Sequence, residues 1–219
     1  MNRQRRTVLI YGARSYLGGE VARFGRAMGH RMVAVVNGSI PERDQPWMHG
    51  VHWTTDFDAL IADWPQGPPA AIVYCDTALW DGGRGRFDRL LVQRPKRLFE
   101  AAQTLRPPPR FVLRSTVDQP FLSSKYTAAC RRAEQLLADS SLDSVILRLP
   151  LLYGPDRPDS VAAMMVSEAV RRAARRPDLA PMRVERAALA ALRAALEPDL
   201  SGILEPAQIA RVGDVMIPQ

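Results

Sequence analysis

The chain has 219 residues, 47% of them hydrophobic, and is therefore long enough to bury one sizeable core. Its formal net charge of +7 invites a polyanionic partner, but only two of its 30 basic residues are lysines (Lys96 and Lys125), and the arginines are spread along the chain without a nucleic-acid-binding motif. We therefore expect no nucleic acid partner. Two cysteines and three histidines without ligand spacing predict no disulfide scaffold, no metal site and a cytoplasmic location.

Membrane association finds little support in the sequence. No apolar run approaches the roughly 20 residues that cross a bilayer, so we expect no transmembrane segment. The densest basic cluster, residues 171–176, follows an apolar stretch. On a helix it could dock on an anionic surface, but a solvated helix end, where cations favour the C-terminal dipole, is the simpler interpretation.

Predicted strands and helices alternate along the chain. Residues 7–11 form a continuous apolar run that is typical of a strand buried on both faces. Apolar residues then recur at helical spacing from Leu17 to Met28, and Gly29 marks a helix end. Later patterns predict strands at 31–36, 70–74, 110–113, 143–149 and 202–204, and helices at 56–64, 87–105, 126–139, 160–176 and 185–196. This alternation predicts an α/β fold: a doubly wound, mostly parallel, Rossmann-type sheet with a small, largely helical C-terminal part.

The proline-rich stretches at 65–69, 107–109 and 154–158 fall between predicted elements and indicate surface loops, not domain linkers. We therefore expect a single domain over residues 1–219. Within it, residues 7–154 form the predicted nucleotide-binding core, and residues 155–219 form a reduced substrate-binding or capping region.

The turn between the first strand and the first helix has glycines at both ends, Gly12 and Gly18. A strand, a glycine turn and a helix aim unpaired backbone N–H groups at a phosphate. Such glycines can also serve packing alone, but their place in the first β–α turn favours dinucleotide binding. Ser15 replaces the usual middle glycine; its N–H and hydroxyl can still face a phosphate, whereas a positive φ there would be costly. The predicted cofactor-binding residues are Gly12, Arg14, Ser15, Tyr16, Leu17, Gly18 and Asn37.

The choice between NAD and NADP depends on the end of the second strand. An acidic residue there would bind the ribose 2′-hydroxyl of NAD, but this strand ends in Val36 and Asn37, and the next acid is Glu42. Arg14 could instead meet the 2′-phosphate of NADP through its guanidinium fork, although it could also be one of many solvent arginines. The sequence therefore favours NADP mildly over NAD.

Several stretches have counterparts in one enzyme family. They are the glycine turn, residues 98–102, residues 111–116 and the segment from Tyr126 to Leu137. The most specific stretch, residues 145–155, reads Val-Ile-Leu-Arg-Leu-Pro-Leu-Leu-Tyr-Gly-Pro. Together they resemble the extended and atypical short-chain dehydrogenase/reductase family, in its sugar epimerase and NmrA-like branch. The resemblance implies an NAD(P)-binding Rossmann fold.

The family's chemistry implies specific catalytic residues. A tyrosine exchanges a proton with the substrate, a lysine four residues later supports it, and a Ser or Thr after the preceding strand binds the substrate oxygen. The matching positions are Tyr126 and either Thr116 or its neighbour Ser115. The lysine position is Cys130, which supplies no cation, and without one a phenolate at neutral pH costs roughly 4 kcal/mol. Cys130 could be a reactive thiol or a packed buried residue, and Tyr126 could be catalytic or merely packed.

Two functions therefore stay open at the sequence level. One is an atypical oxidoreductase or epimerase that uses NAD(P)(H) on a small carbonyl or alcohol with an incomplete catalytic set. The other is a catalytically inactive, dinucleotide-binding accessory, assembly or redox-sensing subunit of a larger complex. By analogy with relatives, the helices that begin near Phe87 and Tyr126 could form a homodimer contact.

Overall fold

The computed structural model describes residues 5–42, 44–62, 67–77, 85–120, 122–154 and 159–214. The strands are β1 (Thr7–Tyr11), β2 (Arg31–Val35), β3 (Val51–Thr54), β4 (Ala71–Tyr74), β5 (Arg110–Thr116), β6 (Ser144–Leu149), β7 (Leu152–Tyr153), β8 (Met182–Arg183) and β9 (Gly202–Leu204). The helices are α1 (Tyr16–Ala27), α2 (Phe57–Ala62), α3 (Arg86–Asp88), α4 (Arg94–Thr104), α5 (Ser124–Ala138), α6 (Asp159–Ala174), α7 (Val184–Leu196) and α8 (Pro206–Val212).

Seven strands form one parallel sheet in the order β3-β2-β1-β4-β5-β6-β9, and β7 pairs with β8 in a separate two-stranded sheet. This confirms the predicted doubly wound parallel sheet. The order of the strands along the chain reverses between β1 and β4. In open α/β sheets a crevice opens at that point, beyond the carboxyl ends of the strands, and ligands bind there.

Helices cover both faces of the sheet. On one face α1 and α7 pack in a core with Val8 and Ile10 of β1. On the other face α4 and α5 pack in a second core with Leu9. Successive residues of β1 thus enter opposite cores, which explains why the strand is apolar at every position instead of alternating.

The observed elements differ from the prediction in several places, and the short strands β7 and β8 are among the elements that it lacked. The strand β3 is new, and only Val51 and Trp53 of its residues are buried, so its apolar signal is short. The helix predicted at 87–105 is instead α3, a π-helical turn at Arg89–Gln93 and α4 in succession. The helix α8 begins with a capping box between Glu205 and Gln208. The helix predicted at 56–64 ends at Ala62, and its last two residues lie outside the described part.

The segment after Gly154 contributes to the main sheet as well as to its surroundings. Its helix α7 packs in the same core as α1, and β9 extends the sheet beside β6. The division of the chain after Gly154 stays a prediction, and β8, which follows it, pairs with β7 outside the main sheet.

Candidate functional site

The glycine turn joins β1 to α1 at the crevice, and both of its glycines are sterically required. Gly12 has a φ of +81°, and a Cβ atom there would lie 2.5 Å from the backbone nitrogen of Asp76, just after β4. A Cβ on Gly18 would meet the carbonyl oxygen of Gly12 and lie 2.9 Å from the Cα of Ala13. The backbone of the turn therefore packs tightly against its own residues and against the residues after β4. A tight phosphate-binding turn needs such close packing.

Ser15 is the N-cap of α1. Its backbone is extended, with φ −68° and ψ 156°, so the strain expected from a positive φ does not arise. The Ser15 N–H donates to the Gly12 carbonyl at 2.9 Å and is therefore committed within the turn, contrary to its expected role towards a phosphate. The Ser15 hydroxyl accepts from the Gly18 N–H at 3.0 Å, which leaves its own hydrogen to donate to a phosphate oxygen at the helix N-terminus.

Two predicted cofactor-binding residues begin α1. The Leu17 side chain is only 3% exposed and belongs to the core, so Leu17 can offer a ligand only its backbone. Tyr16 lies against Gly154, where a Cβ atom would collide with the tyrosine hydroxyl. The turn is thereby joined to the loop after β7, the most specific part of the family resemblance.

A polar network lies at the ends of β1, β2 and β4. Asn37 Nδ2 donates to Asp76 Oδ2 at 2.8 Å, and Arg94 NH1 donates to the same oxygen at 3.1 Å. Arg14 extends from the glycine turn to Ser39, where its NH1 lies 3.2 Å from the carbonyl oxygen and 3.3 Å from the hydroxyl oxygen. The structure therefore brings Arg14 and Asn37 to the loop after β2, where the adenosine ribose of a dinucleotide belongs in this fold.

The Tyr126 side chain lies at the same edge of the sheet, at the start of α5. Its hydroxyl is 3.2 Å from Thr77 Oγ1 and accepts a hydrogen bond from Arg114 NH1, also at 3.2 Å. The ring packs edge-on against Phe87, and the residue is 2% exposed. Tyr126 is thus held at one orientation, with a neutral hydroxyl on one side and a cation on the other.

Cys130 lies one helical turn after Tyr126 and is 4% exposed. Burial raises the pKa of its thiol to about 11, although the charge of Arg114 and a hydrogen bond with Tyr126 act in the opposite direction. The thiol is therefore neutral at physiological pH. Of the two interpretations left open by the sequence, the structure supports the packed residue, because a reactive cysteine needs a thiolate and access.

The hydroxyls of Ser115 and Thr116 point to other partners. Ser115 donates to the Glu134 carboxylate on α5. The Thr116 hydroxyl donates to the Val117 carbonyl at 3.0 Å and accepts from Gln119 Nε2 at 3.1 Å. Among the hydrogen bonds of the described residues, neither hydroxyl reaches Tyr126. Thr77 forms this contact with Tyr126 instead, and its position just after a buried strand is the one sign of it in the sequence.

Two cavities border Tyr153, of about 390 and 510 Å³. The smaller is lined in part by Met164, Met165 and Glu168 of α6, and neither is lined by Tyr126 or the glycine turn. Within the described residues there is no cluster of three or more potential metal ligands. None of the described helices is both long and apolar enough to cross a membrane.

Comparisons with solved structures show the same architecture. The Bordetella bronchiseptica enzyme WbmG in complex with NAD matches with a TM-score of 0.71 at 18% identity, over 97% of this chain and 77% of that one. A short-chain dehydrogenase/reductase superfamily protein from Agrobacterium tumefaciens, with bound NAD, matches with a TM-score of 0.63 at 17% identity, over 94% and 80%. The chain shares the fold of these structures. No family model matches the sequence, and no curated protein is a significant match.

A third structure with this fold contains a sugar nucleotide. MoeE5 in complex with UDP-glucose and NAD matches with a TM-score of 0.66 at 20% identity, over 90% of this chain and 74% of that one. These structures confirm the Rossmann-type fold that the sequence predicted. At such identities the likeness concerns the fold alone, so the function must be argued from the residues of this chain.

Proposed function

We propose that the chain binds NAD or NADP in the crevice between β1 and β4 and catalyses hydride transfer to or from a small carbonyl or alcohol substrate. The observation that carries the proposal is the placement of the Tyr126 hydroxyl at the carboxyl edge of the sheet, between Thr77 and the Arg114 guanidinium. A hydroxyl held by two partners at this edge is suited to general acid–base chemistry.

Dinucleotide binding is supported by the glycine turn. The positions of Gly12 and Gly18 admit no side chain, and the Ser15 hydroxyl at the start of the twelve-residue helix α1 can donate to a phosphate. Structures with the same fold were obtained with NAD. The residues present therefore fit a pyrophosphate at the turn and an adenosine ribose near Asn37.

When bound, the nicotinamide would accept or donate the hydride. The chain's own part is to orient the substrate and to move one proton. In the direction of reduction, the hydroxyl hydrogen of Tyr126 passes to the substrate oxygen as the carbonyl becomes an alcohol. In the direction of oxidation, the alcohol hydrogen returns to the phenolate oxygen. Thr77 fixes the tyrosine hydroxyl from the side of β4.

The proposed substrate is small because few of the described elements lie outside the main sheet and the helices packed on it. The elements α7 and β9 belong to the core, so α6 and the β7–β8 pair remain as the covering part. MoeE5, which was solved with UDP-glucose, has the larger chain, of which this one covers 74%.

NADP is the cofactor that Arg14 favours. Its guanidinium contacts only Ser39 among the hydrogen bonds of the described residues, and the end of β2 carries Asn37 where NAD-specific proteins have an acid. A 2′-phosphate there would gain a charge-assisted hydrogen bond from Arg14.

A second function is favoured by the burial of the tyrosine. Tyr126 is 2% exposed, and its hydroxyl already has two partners. Both features suit a protein that binds a dinucleotide and converts no substrate. Such an accessory protein would bind NADPH and show no turnover.

Turnover measurements with the Tyr126→Phe variant distinguish the two functions. Wild-type protein is incubated with NADPH and a panel of small aldehydes and ketones, and the loss of absorbance at the nicotinamide band is followed. Catalysis predicts turnover that falls by about 10²-fold or more in Tyr126→Phe, with NADPH affinity unchanged. If the wild type binds NADPH and reduces no compound, the accessory function is favoured; if it binds no dinucleotide, both are wrong.

A further inference from the structure

Arg114 is a charged residue in the interior of strand β5. It lies between Leu113 and Ser115 of β5, both of which are buried, and it is itself half-buried. Burying a cation is costly unless a partner compensates it. Within the described parts of the chain, however, Arg114 forms no ion pair with a carboxylate, although fifteen pairs are formed by other residues.

The side-chain partner of Arg114 is the Tyr126 hydroxyl, to which its NH1 donates at 3.2 Å. Burial lowers the pKa of the guanidinium, but the nearby side chains of Tyr126 and Cys130, which become anions on ionisation, outweigh burial and raise the pKa. The guanidinium therefore stays charged, and the groups that it faces are those that would carry negative charge in proton transfer.

The other candidate cations are less well placed. Cys130 occupies the position one helical turn after the tyrosine, and its buried thiol is neutral at physiological pH. Lys125 is exposed, and as the sequence neighbour of Tyr126 on α5 it points about 100° away from it. Arg94 is paired with Asp76 at 3.1 Å.

We propose that Arg114 supplies, from strand β5, the positive charge that the family resemblance places on a lysine at position 130, and that it stabilises the phenolate form of Tyr126. The inference rests on the proposed hydride-transfer function. It completes the catalytic set with a cation from β5 instead of one from α5. The proton moves between the tyrosine oxygen and the substrate oxygen, while Arg114 keeps all of its hydrogens and acts as a positioning residue.

A guanidinium is suited to this place. It reaches from the sheet instead of from the helix, and it remains protonated at every pH at which the protein is folded. The small Cys130 leaves room beside the tyrosine, whereas a lysine there would bring a second cation next to Arg114 in a buried site. The cysteine on α5 and the arginine on β5 are thus compatible with one another.

The test is a spectroscopic titration of tyrosine ionisation in the protein without dinucleotide. The difference between wild type and Tyr126→Phe isolates the signal of Tyr126. We expect Arg114→Met to move that signal to higher pH by at least one unit, which is a tenfold change in the ionisation constant, and Arg114→Lys to move it less. In turnover assays, Arg114→Met should shift the pH–rate profile to higher pH. It should also lower the rate at pH 7 by about tenfold or more.

A rescue variant separates charge from packing. Arg114→Met combined with Cys130→Lys returns the cation to the helix and should move the Tyr126 signal part of the way back to its wild-type position, whereas Cys130→Lys alone should bring no gain because the charge is already present. If Arg114→Met folds, as circular dichroism shows, and Tyr126 ionises as in wild type, the inference is wrong. Where Arg114→Met does not fold, Arg114→Gln takes its place, and ionisation of Tyr126 as in wild type in that variant equally overturns the inference. Failure of the wild type to bind NADPH would overturn the proposed function alone, since the titration needs no dinucleotide.

Discussion

The hydroxyl of Ser115 on β5 donates a hydrogen bond to the carboxylate of Glu134 on α5, and both residues are buried. Glu134 also accepts from Arg131 NH1 at 2.5 Å and from Arg148 NH2 at 2.6 Å. The two arginines also form ion pairs with exposed acidic residues, as Arg148 does with Glu205. This Glu134 cluster ties α5 to β5 and β6 at the edge where the site lies.

Glu134 should be important for stability. Replacing it by glutamine leaves two partly buried guanidinium groups without their common carboxylate, and breaking a buried ion pair costs about 3 kcal/mol or more. We expect the free energy of unfolding, measured with urea, to fall by this amount in Glu134→Gln. The control is Glu100→Gln, on the exposed pair with Lys96, which should change it by less than about 0.5 kcal/mol.

The contribution of Glu134 should depend on pH. Burial raises the pKa of its carboxyl, but hydrogen bonds from Arg148 and Ser115 and the charge of Arg131 outweigh burial and lower the pKa overall. A lowered pKa in the folded state gives stability that is present above the unfolded value, near 4.3, and is lost as pH falls through the folded value. The difference between wild type and Glu134→Gln should therefore be constant at neutral pH and shrink below about pH 4. A difference that grows in acid would contradict this assignment.

The hydroxyls of Ser115 and Thr77 should behave differently in turnover. Thr77→Val removes one neutral hydrogen bond to Tyr126, worth about 1 kcal/mol, and should lower the rate about fivefold with little effect on NADPH affinity. Ser115→Ala should reduce stability through Glu134 and leave the rate per folded molecule unchanged. The opposite result, a rate that depends on Ser115 and not on Thr77, would restore the serine that the family resemblance implies.

The sequence predicted the sheet well because β1, β2, β4 and β6 are buried on both faces along most of their length and therefore consist mainly of apolar residues. It missed β3, in which His52 is exposed and only two residues enter the core. It also missed α8, a short helix whose main signal is its capping box. Both are edge or terminal elements with little apolar periodicity.

The site was predicted in part for a related reason. Gly12, Gly18 and Tyr126 are fixed by local spacing, so a motif finds them. Arg114 and Thr77 reach Tyr126 only because β4 and β5 are neighbours in space, and a motif does not record that contact. The one available signal was the presence of an arginine inside the apolar run of β5. The predicted homodimer contact through α4 and α5 stays a prediction.

The two thiols should be inert in the folded protein. Burial raises the pKa of Cys75 to about 12 and that of Cys130 to about 11, and neither is more than 4% exposed. A thiol reagent that forms a coloured product should react with neither cysteine at pH 7 in native buffer and with both in guanidinium chloride. Rapid reaction of one thiol in the native protein would favour a redox-sensing role.

Arg14 should determine the preference between the two dinucleotides. Arg14→Gln removes a charged donor from the loop after β2, and a hydrogen bond to a charged group is worth about 1.5 kcal/mol or more. The affinity for NADPH should fall by about tenfold or more, and that for NADH should hardly change. Arg211→Gln, at an exposed position of α8, is the control for the loss of one positive charge. Equal losses for both dinucleotides would assign Arg14 to the pyrophosphate instead.

The central claim is that the glycine turn holds a dinucleotide, and adjacent glycines test it. A Cβ on Gly18 would collide with the turn, whereas a Cβ on Gly19 would meet only the Ala13 carbonyl oxygen at 3.7 Å, an ordinary contact. We predict that titration of wild type and Gly19→Ala with NADPH, followed by nicotinamide fluorescence, gives the same saturable binding. Folded Gly18→Ala should bind at least tenfold more weakly. Unchanged binding in Gly18→Ala, or no binding in wild type, would contradict the claim.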